Sequence, residues 1–89
     1  MKLKLFTLPS CPKCPEAKEV ATAIAKQRND ITLEILDLSD SNNMTTALMM
    51  QIASTPSFTI NETPIFIGEL PTLAELNEKI EEYKDRMEV

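Results

Sequence analysis

The spacing of apolar residues along this chain alternates between that of strands and that of helices. Leu3, Leu5, Phe6 and Leu8 fall within residues 2–8, a run that suits a short buried strand. Thr7-Leu8-Pro9-Ser10 then turns the chain. From Pro12 onward, Ala17, Val20, Ala21, Ile24 and Ala25 recur at helical spacing and form one apolar stripe, which Asn29-Asp30 ends. Ile31, Leu33 and Ile35 alternate with Thr32 and Glu34, the signature of a half-buried strand, and Leu36 and Leu38 extend it with less regular phase.

Ser39-Asp40-Ser41-Asn42 is rich in residues that cap helix N-termini. A second helix is expected through Met44, Ala47 and Leu48 toward Gln51, with Met49 and Met50 widening its apolar face. Ser57–Ile60 and Pro64–Ile67 read as two short strands joined by Asn61-Glu62-Thr63, hence antiparallel. Thr72-Leu73-Ala74-Glu75 matches a capping box. It opens a last helix with Leu73, Leu76, Ile80, Tyr83 and Met87 on one face, and with Glu75–Lys79 and Glu82–Arg86 spaced for ion pairs. The order β-α-β-α-β-β-α predicts an α/β fold whose first two strands lie parallel across a right-handed helical crossover. No linker, repeat or low-complexity segment interrupts it, so residues 1–89 form one domain.

Composition narrows the chemistry. At 89 residues the chain buries only about 60–65% of the surface its unfolded form exposes. Phe6, Phe58, Phe66 and Tyr83 are its aromatics, so Leu, Ile, Val, Ala and Met must build the core. Met44, Met49 and Met50 are expected to act as soft core filler rather than as metal ligands, with an exposed apolar patch for a partner protein as the lesser alternative. A formal charge of -5 without any histidine argues against nucleic acid or an anionic membrane as partner. No stretch is apolar for long enough to be a signal h-region or a membrane span, so a cytoplasmic protein is expected.

In that compartment the two cysteines stand out. They form Cys11-Pro12-Lys13-Cys14, between the first strand and the first helix. A Cys-x-x-Cys in this position reads as a dithiol that cycles between reduced and oxidised forms. Pro12 is suited to the first helical position, which makes Cys11 the expected N-cap. Its sulfur would then meet unpaired amides and the positive end of the helix dipole, and Lys13 could add positive charge; all favour the thiolate. Pro15 removes one further amide where few hydrogen bonds are lost. Cys11 is thus the expected nucleophile and Cys14, one turn further in, the resolving thiol. The chemistry requires no metal and no organic cofactor.

Other uses of the pair are weaker. As a staple, a four-residue loop supplies only about 2 kcal/mol, against about 4–5 for a long loop. A structural zinc site wants four Cys or His ligands, and this chain has two cysteines and no histidine, so a metal would have to sit between two chains. Such a metal-carrying binding module is the alternative from another class. Two buried, unreactive thiols are a third possibility.

Strand, Cys-x-x-Cys at a helix start, Thr55-Pro56 some forty residues on, hairpin, glycine and closing helix together resemble the thioredoxin/glutaredoxin superfamily, from Lys2 to about Arg86. Cys11-Pro12-Lys13-Cys14-Pro15 is similar to the motif of small archaeal redox domains, and Ser54-Thr55-Pro56-Ser57-Phe58 to the thioredoxin segment that carries a cis-proline. The resemblance implies a thioredoxin-like fold: a central four-stranded mixed sheet with three helices, strand order 3-1-2 in its core, the first and last helices on one face and the second on the other. It implies that Cys11 attacks and Cys14 resolves, that Pro56 packs beside the disulfide, and that the Thr55 backbone pairs with an extended substrate. It also implies that Gly68 lets a partner approach closely. Taken alone, Pro56 is most simply a strand-start proline.

The chain departs from the family in places. Ser10 replaces the thioredoxin Trp, Leu5 stands where thioredoxins carry a buried Asp, and Gly68-Glu69-Leu70-Pro71 lacks the glutaredoxin Gly-Gly pair and acidic residue. The resulting expectation is a small monomeric dithiol–disulfide oxidoreductase that reduces protein disulfides as an electron carrier and depends on a reductase. A glutathione-dependent glutaredoxin is a second alternative.

Overall fold

A computed structural model describes residues 1–87. Lys2–Thr7 forms β1, whose side chains alternate between the two faces of the sheet. Leu3 and Leu5 point to one face and Phe6 to the other, and all three are fully buried. Helix α1 spans Cys14–Gln27 and buries Ala17, Ala21 and Ile24, the stripe its sequence spacing predicts. β2, Thr32–Asp37, pairs parallel to β1 from Lys2↔Thr32 to Thr7↔Asp37. α2 follows at Ser41–Met49, capped by the Asp40 carboxylate, which accepts from the Asn42 amide at 2.9 Å.

β3 (Ser57–Ile60) runs antiparallel to β1, and β4 (Thr63–Ile67) antiparallel to β3. The hairpin between them turns through Asn61 (φ 47°) and Glu62 (φ 75°), both in the left-handed region that a two-residue hairpin turn requires. α3 covers Leu73–Met87. Its capping box forms in full: the Thr72 amide donates to Glu75 Oε1 at 2.9 Å, and the Glu75 amide to Thr72 Oγ1 at 3.1 Å. The side chain of Met87, expected on the apolar face of α3, lies outside the described residues.

The sheet order is β2-β1-β3-β4, with β1 at the centre as the 3-1-2 core requires. α1 and α3 share one face, where Leu3, Leu5, Ile24, Phe58, Phe66, Leu76 and Ile80 form the main core. The Phe58 and Phe66 rings meet edge to face at 6.2 Å within it. α2 covers the other face over a smaller cluster of Phe6, Leu38, Ala47 and Ile52. At the end of α1, Arg28 donates to Asp30 (3.0 Å), to Asn77 (2.7 Å) and to Glu81 (2.7 Å), so one side chain binds α1 to α3. Lys84 also reaches Asp30, at 3.1 Å.

Three local expectations are corrected. The first helix begins at Cys14 with Lys13 as N-cap, so Cys11 is not the cap and Pro12 is not its first residue. A cap at Cys11 needs its carbonyl to accept from residue 15, and residue 15 is proline, which has no N–H. The ladder therefore opens at Ala17 N–H to Lys13 C=O, 3.0 Å. Met44 (36% exposed) and Met49 (81%) are not core filler; α2 buries Ala47, and Met50 beyond it packs on the small cluster. On α3, Glu75 spends its carboxylate on the capping box and Lys79 pairs with Glu82 at 3.4 Å, in place of the i,i+4 pairs.

Candidate redox site

The strand registers bring four chain segments to one end of the sheet. Thr7 at the end of β1 lies beside Asp37 at the end of β2, while Phe6 pairs with Ser57 at the start of β3, and Ser57 with Ile67 at the end of β4. The Cys11–Cys14 segment, the loop capping α2, the segment ending at Pro56 and Gly68 all leave or enter the sheet there. This is the carboxyl end of the two parallel strands, where open α/β sheets place their sites.

The turn after β1 closes with the Cys11 amide donating to the Leu8 carbonyl at 3.1 Å, with Pro9 at its second position. Cys11 and Cys14 are joined as a disulfide, their Cα atoms 5.4 Å apart. The two cysteines differ in access: Cys11 is half-buried, whereas Cys14 is 2% exposed at the first position of α1. Pro12 and Lys13 between them are exposed. Pro15 lacks an amide, and the first regular helical bond runs from the Ala17 amide to the Lys13 carbonyl. The dipole of α1 adds positive potential at this opening turn.

The Thr55–Pro56 peptide bond is cis, and Pro56 is fully buried while Thr55 is half-buried. Gly68 closes on this segment from the end of β4. Its φ is +68°, and a Cβ there would stand 2.8 Å from Ser54 Cβ, so both the backbone and the packing demand glycine. Ser57 ties the two together: its hydroxyl donates to the Ser54 carbonyl at 2.5 Å and accepts from the Gly68 amide at 3.2 Å. Sequence reasoning missed this role of Ser54 and Ser57, because residue type alone does not reveal a partner eleven positions away.

On the opposite flank, Asp37 accepts from the Ser39 amide and hydroxyl, both at 2.8 Å. The Ser39 amide, then its hydroxyl, hold the Asp37 carboxyl below its ordinary value, with a smaller contribution from Lys18. Leu5 is fully buried in the main core, so the place of the buried thioredoxin acid holds an apolar side chain. Thr7, two residues on, is the buried polar side chain at this end of β1. Among the described residues no cluster of three or more His, Cys, Asp or Glu is placed to hold a metal ion, and no helix is long and apolar enough to cross a membrane.

Residues 1–81 match the thioredoxin domain family. The chain is 36% identical over 80 residues to a thioredoxin of Methanocaldococcus jannaschii, covering 90% of this chain and 92% of that one. It belongs to the thioredoxin family. A probable thioredoxin of Archaeoglobus fulgidus is 32% identical over 82 residues, covering 92% of this chain and 88% of the other. Thioredoxin 1 of Thermosipho africanus shares the fold along the full length of both chains, with a TM-score of 0.74 at 23% identity. Membership of the thioredoxin family assigns a general disulfide oxidoreductase role to the cysteine pair. The cis-proline segment and the sheet order follow the same family pattern.

Proposed function

We propose that this chain reduces protein disulfides as a dithiol electron carrier in the cytoplasm, with Cys11 as nucleophile and Cys14 as resolving thiol. The unequal burial of the two cysteines carries the reading: Cys11 is half-buried and Cys14 is 2% exposed. In the reduced chain the Cys11 thiolate attacks one sulfur of the substrate disulfide. The substrate S–S bond breaks, a mixed disulfide forms on Cys11, and the departing thiolate takes a proton from solvent. Cys14 then loses its proton and attacks the Cys11 sulfur, which releases the second substrate thiol and leaves the Cys11–Cys14 disulfide. Two electrons pass to the substrate, and a reductase must return them. The positive end of the α1 dipole favours the Cys11 thiolate. The Thr55 backbone offers main-chain pairing to an extended segment, which recognises chain shape more than side chains, and the chain works as a monomer.

Insulin reduction by the dithiol form tests the proposal. Wild-type chain is expected to turn over with a reducing partner such as dithiothreitol, and Cys11→Ser to lose the activity. Stoichiometric zinc uptake without disulfide reduction would instead establish the metal-carrying module. A glutathione adduct on Cys11 after mild oxidation would establish the glutaredoxin reading.

A further inference from the structure

The sequence is 26% charged, yet from Ser41 through Asn61 it carries no charged residue at all. That stretch contains α2 and the segment leading to Pro56. On α2, Met44 is 36%, Leu48 62% and Met49 81% exposed, three of the five large apolar side chains that stand out from the described surface. Met44 and Leu48 are four residues apart and stack on one side of the helix, with Met49 adjoining. A helix on the surface of a chain with net charge -5 ordinarily turns charged residues outward; this one turns thioethers and a leucine outward.

The patch begins one turn from the redox end of the sheet and runs along α2 toward the opposite end. α2 begins at the loop after β2, where Asn43 Nδ2 donates to the Asp37 carbonyl at 3.0 Å. Its inner side packs Ala47 on Phe6 and Leu38, with Leu8, three residues before Cys11, and Met50 against the same cluster. Beyond Met50, the chain runs through exposed Ala53 and Ser54 to Thr55 and Pro56. Met49 and Met50 also border a groove with Thr46 and, from the β3–β4 hairpin at the opposite end of the sheet, Glu62. Thioether and leucine surface bounded by the carboxylates of Asp40 and Glu62 fits an apolar segment without acidic residues. Methionine in such a surface adapts to differently shaped partners.

Resting on the disulfide-reducing reading above, we infer that the Met44–Leu48–Met49 face of α2 docks the chain that flanks a substrate disulfide, and so selects protein substrates with apolar, uncharged flanks. Main-chain pairing at Thr55 would hold the residues next to the disulfide. The α2 face would hold residues further along, about 10 Å down the helix from its cap.

Two peptides of about 12 residues, each joined to a copy of itself by a disulfide at a central cysteine, test this; at about 3.3 Å per residue both are long enough to reach α2. One carries leucine and alanine flanks, the other serine and asparagine flanks, and both are uncharged. The wild-type chain is expected to favour the leucine peptide about fivefold or more in kcat/KM. The double variant Leu48→Gln/Met49→Gln changes only exposed positions, keeps the charge and uses a good helix former. Its preference is expected to fall to about twofold or less, through KM. An undiminished preference in the variant, or equal rates with the wild type, overturns the α2 surface alone. Reduction of neither peptide by the wild type overturns the reductase reading, and this inference with it.

Discussion

Gly68 and Ser54 pack so closely that a methyl group added to the glycine would sit 2.8 Å from the serine Cβ. The contact fixes the segment that leads into the cis Thr55–Pro56 bond against the end of β4, and the Ser57 hydroxyl bonds to both sides of it. The backbone proposed to meet substrate is therefore held by a glycine that itself carries no chemistry.

Gly68→Ala must either leave φ +68° or push Ser54 away. It is expected to cost about 1–3 kcal/mol in urea unfolding, the usual penalty for a side chain in the left-handed region. Insulin reduction should fall as well, because the Ser54–Pro56 segment shifts. An alanine variant with unchanged unfolding midpoint and activity would show that the segment does not depend on this contact.

Cys14→Ser leaves the half-buried cysteine and removes the buried one. Incubated with an oxidised protein substrate, it should accumulate a mixed disulfide through Cys11, seen as a summed mass that dithiothreitol releases. Cys11→Ser should give no such adduct. Equal trapping by both variants would mean that access does not decide the order of attack.

Pro15 keeps residue 15 from donating to the Cys11 carbonyl, and α1 starts at Cys14 instead. Pro15→Ala restores that donor. The helix should then reach back toward Cys11, and the Cys11 thiol should ionise at a pH lower by about half a unit, the size of an ordinary dipole contribution. Thiolate absorbance followed against pH checks this; no change, or a rise, would refute it.

Asp30 joins the end of α1 to α3 through Arg28 and Lys84. The hydrogen bonds from Arg28, first, and from Lys84 hold its carboxyl far below the ordinary carboxylate value. A carboxylate whose pKa is depressed by folding contributes stability above its unfolded pKa of about 4, and that contribution is lost as pH falls below it. Asp30→Asn should therefore be less stable than the wild type near neutral pH, with the gap closing in strong acid. Thermal unfolding at a series of pH values reads the difference directly.

Thr72→Ala removes the hydroxyl that accepts from the Glu75 amide at 3.1 Å. The loss of one N-cap is expected to cost about 1 kcal/mol in unfolding free energy without altering insulin reduction, since the Thr72 hydroxyl bonds only within the first turn of α3.

The order of elements, the cysteine pair and the faces of α1 and α3 were legible in the chain itself. Ala17, Ala21 and Ile24 or Leu76 and Ile80 can be buried together only by a helix, and Thr72 with Glu75 can close a cap from local geometry alone. The hairpin at Asn61-Glu62 and the cap at Asp40 are local in the same sense. The first turn of α1 is not legible in the same way, because two prolines compete there: Pro12 suits a helix start, whereas Pro15 denies Cys11 its hydrogen bond. Three things needed the folded chain. The isomer at Thr55–Pro56, the fit of Gly68 on Ser54, and the outward turn of Met44 and Met49 each depend on neighbours that sequence spacing does not specify. Short-range bonding is written into adjacent residues, but which surface an apolar side chain finds, and how near two loops come, is fixed only when the sheet brings its strand ends together.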